Sequence, residues 1–277
     1  MKFDVGSELI YTAQRETTLI LNIEAQRLAG QRVLSERFTL DPAFASEAHE
    51  IGETKNRYRR LKLRPGRYTI RYEATVETDP VTKRPDAVAE MAVDKLPFEV
   101  VSHLFPSRYC QSDELGRFAW RRFGDLPPGH GRVEDICDWI HDNVDYLEGS
   151  SHGSTSAYDT FTTRAGVCRD FAHLGITFCR ALGIPARFVS AYGSKLEPQD
   201  FHAVFEAYLG GRWYMFDPTR LSPPDGIVRI GVGRDAADTA FATWFGALES
   251  EPKIVWMNEA AGQEEAAAEQ AVSVSAT

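Results

Sequence analysis

The chain has 277 residues, 43% of them hydrophobic and 11% aromatic, and a formal net charge of −9. This length allows one large domain or two of ordinary size, each with a sizeable core. The acidic balance argues against nucleic acid as a partner, because nucleic acids bind to clustered positive charge. No apolar run reaches the roughly 18 residues that a membrane helix needs, so the sequence predicts no membrane partner.

Cysteine is sparse, and the four cysteines are Cys110, Cys137, Cys168 and Cys179. The segment Met1–Gly6 has neither the basic start nor the apolar stretch of a signal peptide. Together these features predict a cytoplasmic protein with free thiols. The sequence contains no Cys-x-x-Cys pair, so we predict no zinc site, and no motif indicates another metal or a cofactor.

The first hundred residues have the composition of β-strands separated by turns. β-branched and aromatic residues are frequent, and Pro65-Gly66 marks a tight turn between two strand-like runs. The candidate strands are Phe3–Val5, Thr18–Glu24, Arg32–Leu40, Tyr58–Leu63, Tyr68–Val76 and Phe98–Val100. Short strands at this spacing predict an antiparallel β-sandwich, which we place at residues 1–105.

From residue 106 onward, helical and strand-like patterns alternate. The expected helices and strands are Gly116–Phe123, Val133–Val144, Cys168–Leu182, Ala186–Tyr192, His202–Leu209 and Arg212–Asp217. A long loop rich in Gly, Ser and Thr, 148–167, precedes the last helix, and loops of this length are often functional. The sequence therefore predicts an α+β domain at 106–257, followed by a disordered acidic, Ala-rich tail at 258–277.

Cys168 lies at the predicted start of a helix, just after the turn residue Gly166. A helix N-terminus leaves backbone N–H groups unpaired and carries a partial positive charge, and both favour a thiolate over a thiol. The same N–H groups could stabilise an oxyanion after the sulfur attacks a carbonyl. Most free cysteines are buried and inert, and we assign that state to Cys110, Cys137 and Cys179.

The segment 201–217 has the pattern of a β-hairpin with the two-residue loop Gly210-Gly211. In that register Leu209 pairs with Arg212, which places Asp217 opposite Val204. Residues two apart on a strand share a face. The prediction depends on the loop length, because a three-residue loop would move Asp217 to the other face.

His202 is two residues from Val204, so the same register makes His202 and Asp217 diagonal neighbours on one face. A carboxylate there can hold the imidazole in one tautomer and stabilise its charged form. Each residue alone would more often be structural, but their joint placement favours a site with Cys168. His173 follows Cys168 by five residues on the helix and points elsewhere, so we assign it a structural role.

Three further features carry weaker predictions. Asp170 is expected in the first helical turn, where an acid is favourable. Tyr158 and Asp159 could line a cleft but have no assigned role. Gly231–Asp235 lacks the further glycine or lysine of a phosphate-binding loop, and we interpret it as a turn.

Four segments resemble the core of the transglutaminase-like superfamily: Ala165–Leu174, Gly183–Arg187, His202-Ala203 and Trp213–Thr219. The resemblance covers about 132–219, and the β-rich front with Pro106–Cys110 resembles the N-terminal region of the bacterial branch. It implies a papain-like α+β core with Cys168 as nucleophile, His202 as acid and base, and Asp217 orienting the imidazole. The extra β domains and calcium loop of the animal enzymes have no counterpart in the sequence.

Function follows as a set of hypotheses. The first is a thiol-dependent amide hydrolase or acyltransferase that acts on a peptide or protein amide through a thioester acyl-enzyme, with hydrolysis favoured. The alternatives are a protein cross-linking transglutaminase, a non-catalytic protein-binding scaffold and, more weakly, a redox-sensing thiol. The sequence does not indicate the oligomeric state.

Overall fold

The computed structural model describes residues 1–260 and 270–274. The front of the chain forms strands, as its β-rich composition predicts. They are β1 (Lys2–Ala13), β2 (Thr17–Leu21), β3 (Gln31–Asp41), β4 (Glu47–Glu50), β5 (Arg57–Leu63), β6 (Gly66–Thr78) and β7 (Val81–Lys83). Inward and outward side chains alternate most clearly in β6, where every second residue from Tyr68 to Thr78 is buried. This pattern is typical of a strand that covers a core with one face.

The middle of the chain mixes helices with strands, as the second predicted domain requires. These elements are α1 (Phe98–Val101), α2 (Gly116–Phe123), α3 (His130–Asn143), β8 (Asp145–Tyr146), α4 (Ala157–Thr163), β9 (Ala165–Gly166), α5 (Cys168–Ala181), β10 (Ala186–Gly193), β11 (Phe201–Leu209), β12 (Arg212–Phe216) and β13 (Ile227–Gly233). Short 3-10 turns lie at Pro85–Ala87, Val93–Lys95, Ser102–Leu104 and Pro224–Gly226. The expected loop at 148–167 therefore contains a helix, α4, which Ser156 and Asp159 cap.

Three later strands return to the front sheets: β14 (Ala242–Phe245), β15 (Leu248–Ser250) and β16 (Ile254–Glu259). One sheet has the order β15-β1-β6-β3, with β16 also paired to β1, and the other has the order β14-β2-β5-β4. Phe3, Leu19, Ile70 and Met257 from the two sheets share one core. The predicted antiparallel sandwich is confirmed, but it takes strands from both ends of the chain rather than from residues 1–105 alone.

A third sheet, in the order β12-β11-β10-β13, is antiparallel throughout. Helix α5 packs on one face of it, where Phe171 and Phe178 join Phe205 in a buried cluster. Gly175 permits the close approach, because a Cβ at that position would lie 2.5 Å from Cε1 of Phe205. The α+β fold is thus confirmed, and its packing brings the start of α5 to the sheet.

The β11–β12 hairpin has the predicted register. Leu209 pairs with Arg212, and Phe205 pairs with Phe216. The two loop residues, Gly210 and Gly211, have φ values of 53° and 85°. A tight turn of this kind needs positive φ at both central positions, which glycine adopts at little cost.

A buried polar network joins the sandwich to the third sheet. Glu206 on β11 accepts from Arg187 at 2.7 Å and from Arg229 at 2.9 Å. Arg229 on β13 also donates its backbone N–H to Gln31 at 2.7 Å and its Nε to Gln26 at 3.1 Å. The two halves of the molecule are therefore held together by charged and amide groups as well as by apolar contacts.

Residues Phe98–Val100, which we predicted as a strand, form the short helix α1. Pro97 precedes it at the N-cap position. Phe98 is 91% exposed, so its aromatic ring covers no sheet. The strand prediction is wrong: Val100 packs with Tyr208 of β11 and Trp213 of β12, but the segment does not pair with these strands, and β-propensity depends on such neighbours.

The turn predicted at Gly231–Asp235 is wrong for its first three residues, because Gly231–Gly233 belong to strand β13. The Asn56 side chain pairs with Val232 as a strand would, donating to its carbonyl at 2.8 Å and accepting from its N–H at 2.9 Å. A Cβ on Gly231 would lie 2.6 Å from Nδ2 of Asn22. The glycines therefore permit close contact with the sandwich.

Part of the predicted disordered tail is ordered. Strand β17 (Ala271–Ser273) pairs with β7, and all three of its residues are buried. Val274 belongs to the same buried cluster as Val204 and Met215 of the third sheet. The short apolar segment finds a surface that is distant in sequence, which composition could not show. The prediction for 261–269 and 275–277 lies outside the described residues.

Candidate active site

Cys168 is the first residue of α5. Asp170 caps this helix, because its carboxylate accepts the backbone N–H of Val167 at 3.0 Å. Asp170 is fully buried and also pairs with Arg169 at 2.9 Å, and Arg169 donates to the backbone carbonyl of His152 at 2.7 Å. The cap and this ion pair together hold the start of the helix, and with it the direction of the sulfur.

Gly166 gives Asp170 the room that this cap requires. A Cβ on Gly166 would lie 2.8 Å from Cβ of Asp170. We expect Gly166→Ala to destabilise the protein by about 1–3 kcal/mol, because the added methyl overpacks a buried site. We also expect slower alkylation of Cys168, because the helix start must shift.

The matched control is Gly131→Ala in α3, where an added Cβ meets no atom within 4 Å. Its stability should stay constant or rise by up to about 1 kcal/mol, because alanine favours helix. Urea unfolding and the alkylation rate measure both variants. Equal effects of the two substitutions would show that Gly166 has no special role.

His202 and Asp217 lie side by side at the end of the β11–β12 hairpin. Nε2 of His202 is 2.8 Å from Oδ2 of Asp217, and both residues are buried. Oδ1 of Asp217 accepts the N–H and the hydroxyl of Thr219 at 2.9 and 2.7 Å, and Oδ2 accepts the N–H of Ser222 at 3.1 Å. Sequence reasoning missed Thr219 and Ser222. The Asp-Pro-Thr sequence was the available signal, since an aspartate side chain in a turn commonly accepts a hydrogen bond from the backbone N–H two residues later.

These contacts set the charge of the pair. Burial opposes the charged form of His202, but the Asp217 carboxylate and the Cys168 sulfur outweigh it and raise the pKa of His202 to about 10. Burial likewise opposes the charge of Asp217, yet the charged His202 and the bonds from His202 and Thr219 hold the pKa of Asp217 below its ordinary value. The pair is therefore an imidazolium beside a carboxylate at neutral pH.

The sulfur of Cys168 lies near enough to His202 to help raise the pKa of the imidazole. Because Nε2 faces Asp217, Nδ1 is the ring nitrogen left for the sulfur. Of the four cysteines, Cys168 alone is not buried. The three residues that sequence reasoning selected thus lie together, and the sulfur is the member that solvent can reach.

Tyr146 is a further neighbour of Cys168 that sequence reasoning did not select. Burial and the nearby Cys168 sulfur raise the pKa of its phenol above the ordinary value. It lies on β8, which pairs in parallel with β9 just before the nucleophile. A two-residue strand leaves almost no sequence signal.

The chain is similar along almost its whole length to a solved structure of a Cytophaga hutchinsonii protein named as a candidate cysteine protease. The two are 41% identical, the match covers 99% of this chain and 97% of that one, and the TM-score is 0.94. Residues 121–218 match the transglutaminase-like superfamily, and residues 1–99 match the N-terminal domain of bacterial transglutaminase.

The chain belongs to the transglutaminase-like superfamily.

The resemblance indicated by the sequence motifs is thereby confirmed. This transglutaminase-like protein also matches an uncharacterised protein of Mycobacterium leprae, 36% identical over 112 residues that cover 37% of this chain and 39% of that protein. An uncharacterised protein of Mycobacterium tuberculosis strain H37Rv is 31% identical over 121 residues, which cover 38% of each chain. This chain thus spans less than two fifths of the length of these relatives.

His173 makes its contacts away from Cys168, His202 and Asp217. It is fully buried, and burial lowers its pKa to about 3. Its Nε2 accepts the backbone N–H of Ala236 at 3.1 Å, and its ring stacks on Tyr109 at 5.0 Å. These contacts fit the structural role that we predicted for it.

The three remaining cysteines are buried in the core that packs around α5, as expected for inert thiols: Cys110, Cys137 and Cys179. Burial raises the pKa of each of them. None of these cysteines is poised as a nucleophile.

Asp159 caps α4 through the backbone N–H of Ser156 at 2.9 Å, and Tyr158 beside it is exposed.

Within residues 1–260 and 270–274, no group of three or more His, Cys, Asp and Glu is placed to hold a metal ion. Over the same part of the chain, no helix is both long and apolar enough to cross a membrane.

Proposed function

We propose that this protein is a thiol-dependent amide hydrolase that acts through Cys168, His202 and Asp217 and a thioester acyl-enzyme. The observation that carries the proposal is a partly exposed cysteine at a helix start beside a buried imidazolium–carboxylate pair. A charged His202 next to the sulfur favours the thiolate, which is the reactive form. Asp217 keeps Nε2 engaged, so that Nδ1 presents its proton to the reacting groups.

The reaction proceeds in two stages, acylation of Cys168 and hydrolysis of the resulting thioester. The Cys168 sulfur attacks the amide carbonyl carbon, and the C–S bond forms as an electron pair moves to the carbonyl oxygen. The carbonyl then reforms, the C–N bond breaks, and His202 gives its proton to the leaving amine. Water next loses a proton to His202 and attacks the thioester, and the C–S bond breaks to release the acid and restore the thiolate.

The acyl donor in this proposal is a peptide or protein amide, and water is the acceptor. The Cytophaga hutchinsonii relative supports hydrolysis through its name as a candidate cysteine protease. An amine acceptor in place of water would make the same thioester cross-link proteins. A protein-binding scaffold needs no reactive sulfur, so it is distinguished by the test below. The cytoplasmic location stays a prediction from the sequence.

The test is the pH dependence of Cys168 alkylation by iodoacetamide, followed by peptide mass spectrometry. The pKa of His202 is about 10, against 6.5 for a free imidazole, so His202 stays charged throughout the range from pH 6 to pH 8. We therefore expect labelling at pH 6 to be about as fast as at pH 8. In His202→Asn the sulfur loses the neighbouring cation, and we expect labelling at pH 6 to be roughly 100-fold slower than labelling at pH 8, because the thiolate fraction then rises about tenfold with each pH unit.

The matched control is His141→Asn, which changes an exposed histidine in the last turn of α3. It should label as the unchanged protein does. Slow labelling at pH 6 in the unchanged protein, with no further effect of His202→Asn, would refute the ion pair and favour the scaffold.

A further inference from the structure

The strand that carries His202 begins inside the core of the sandwich. Phe201, the first residue of β11, is buried and belongs to the cluster that the two sandwich sheets share. Tyr192 on β10 and Ile230 on β13 belong to the same cluster. The end of the third sheet at which His202 lies is therefore packed into the sandwich.

The ring of Phe201 contacts two other aromatic rings. It stacks on Phe241 with 4.1 Å between centroids and 18° between planes, and its centroid is 5.4 Å from that of Tyr192. Phe241 is fixed to the sandwich, because its carbonyl accepts the N–H of Asn22 at 2.9 Å. Tyr192 is fixed to the same segment, since its hydroxyl donates to the carbonyl of Ile23 at 2.8 Å. The position of Phe201 thus depends on the segment that follows β2.

The residues just before Phe201 are tied to the end of the sandwich that forms last. Asp200 accepts the N–H of Phe201 at 2.6 Å and pairs with Lys253 at 2.9 Å. Gln199 donates to the carbonyl of Met257 at 3.1 Å. Met257 lies within β16, and Lys253 directly precedes that strand. Polar contacts to β16 and aromatic contacts to the β2 side therefore hold the start of β11 from two directions.

We infer that the sandwich serves catalysis by positioning His202, with Phe201 and Phe241 as positioning residues. The inference rests on the proposed function. Neighbouring residues on a strand point to opposite faces, so these rings fix the backbone of His202 and do not touch the reacting groups. The groups that stabilise the charged imidazole are Asp217 and the Cys168 sulfur. Both interactions weaken if the start of β11 moves, and the thiolate loses its neighbouring cation.

The experiment is Phe241→Leu, which removes the stacked ring but leaves an apolar side chain in its place. Two reactions of Cys168 are followed: alkylation by iodoacetamide at pH 6 and pH 8, and the burst of p-nitrophenolate that p-nitrophenyl acetate releases as the thioester forms. A displacement of about 1 Å can slow a reaction about 100-fold, so the burst should become about 10–100-fold slower. Labelling at pH 6 should become roughly 10-fold slower than at pH 8, because each unit of thiol pKa changes the thiolate fraction about tenfold.

Two further variants separate positioning from general stability. Phe44→Leu makes the same change in a ring that also packs against the sandwich core, but that contacts Tyr68 at 5.5 Å rather than Phe201. It should lose about as much stability in urea unfolding as Phe241→Leu and keep both reaction rates. Phe241→Tyr keeps a ring in the stack and should also keep both rates.

The positioning role is refuted, and the proposed function stands, if folded Phe241→Leu reacts as the unchanged protein does or if Phe44→Leu loses as much rate. If the unchanged protein labels fast at pH 6 but forms no thioester, the proposed function fails. Slower labelling of Phe241→Leu at pH 6 then still supports the positioning role, and an equal rate refutes it.

Discussion

Cys168→Ala is expected to slow acyl transfer by about 10⁴-fold or more while the protein stays folded. The sulfur is the atom that forms the thioester, and removal of a triad nucleophile has effects of at least this size. Cys168 is partly exposed at the start of α5, and alanine has the highest helix propensity. The loss of activity should therefore come without a loss of fold. The measurements are the p-nitrophenolate burst from p-nitrophenyl acetate and the thermal unfolding midpoint.

A matched control separates the reactive thiol from a buried one. Cys110→Ala removes the same atom from a residue that is fully buried. It should destabilise the protein by about 1–3 kcal/mol, because it leaves a cavity, and it should keep the burst. Undiminished acylation in Cys168→Ala, or loss of the burst in Cys110→Ala at a temperature where that variant is folded, would refute Cys168 as the nucleophile.

Glu206→Gln is expected to destabilise the protein by about 3–5 kcal/mol, because it removes the shared anion from a buried network. Glu206 is fully buried between Arg187 and Arg229, whose side chains are 14% and 2% exposed. Burial lowers the pKa of Arg229 to about 10, so Arg229 is still charged at pH 7. Glutamine has the same shape but leaves two cations without their carboxylate.

The control for this change is Glu47→Gln. Glu47 pairs with Arg60 on the surface, where the two side chains are 60% and 55% exposed. Exposed pairs contribute little because solvent screens their charges, so stability should stay nearly unchanged. Urea unfolding at pH 7 measures both variants. A loss at Glu206 no larger than that at Glu47 would show that the buried network adds nothing to stability.

The parts of the site that could be predicted from the sequence depend on local rules. Gly210 and Gly211 suit a two-residue hairpin loop, and that loop length determines which residues pair. The pairing in turn places His202 and Asp217 on one face. The start of α5 at Cys168 follows from the preceding Gly166 and from the capping acid Asp170.

The parts that could not be predicted depend on contacts between distant residues. Tyr146 reaches Cys168 because β8 pairs with β9, and two-residue strands have no period to detect. Val272 and Val274 fall in a tail whose composition predicts disorder, yet both are buried. Gly231 had the signature of a turn, but the nearby Asn22 and Asn56 belong to another part of the chain.

The return of the late strands to the sandwich has a consequence for synthesis on the ribosome. Phe3 of β1 pairs with Glu259 of β16. Because β1 is synthesised first, this pairing cannot form until β16 has been made. At about 5–20 residues per second this interval is roughly 13–50 s. Helix α5 and the hairpin, which are close in sequence, can dock during that time, so the nucleophile is assembled before the sandwich is complete. Until β16 emerges, one edge of β1 is open to pairing with another nascent chain.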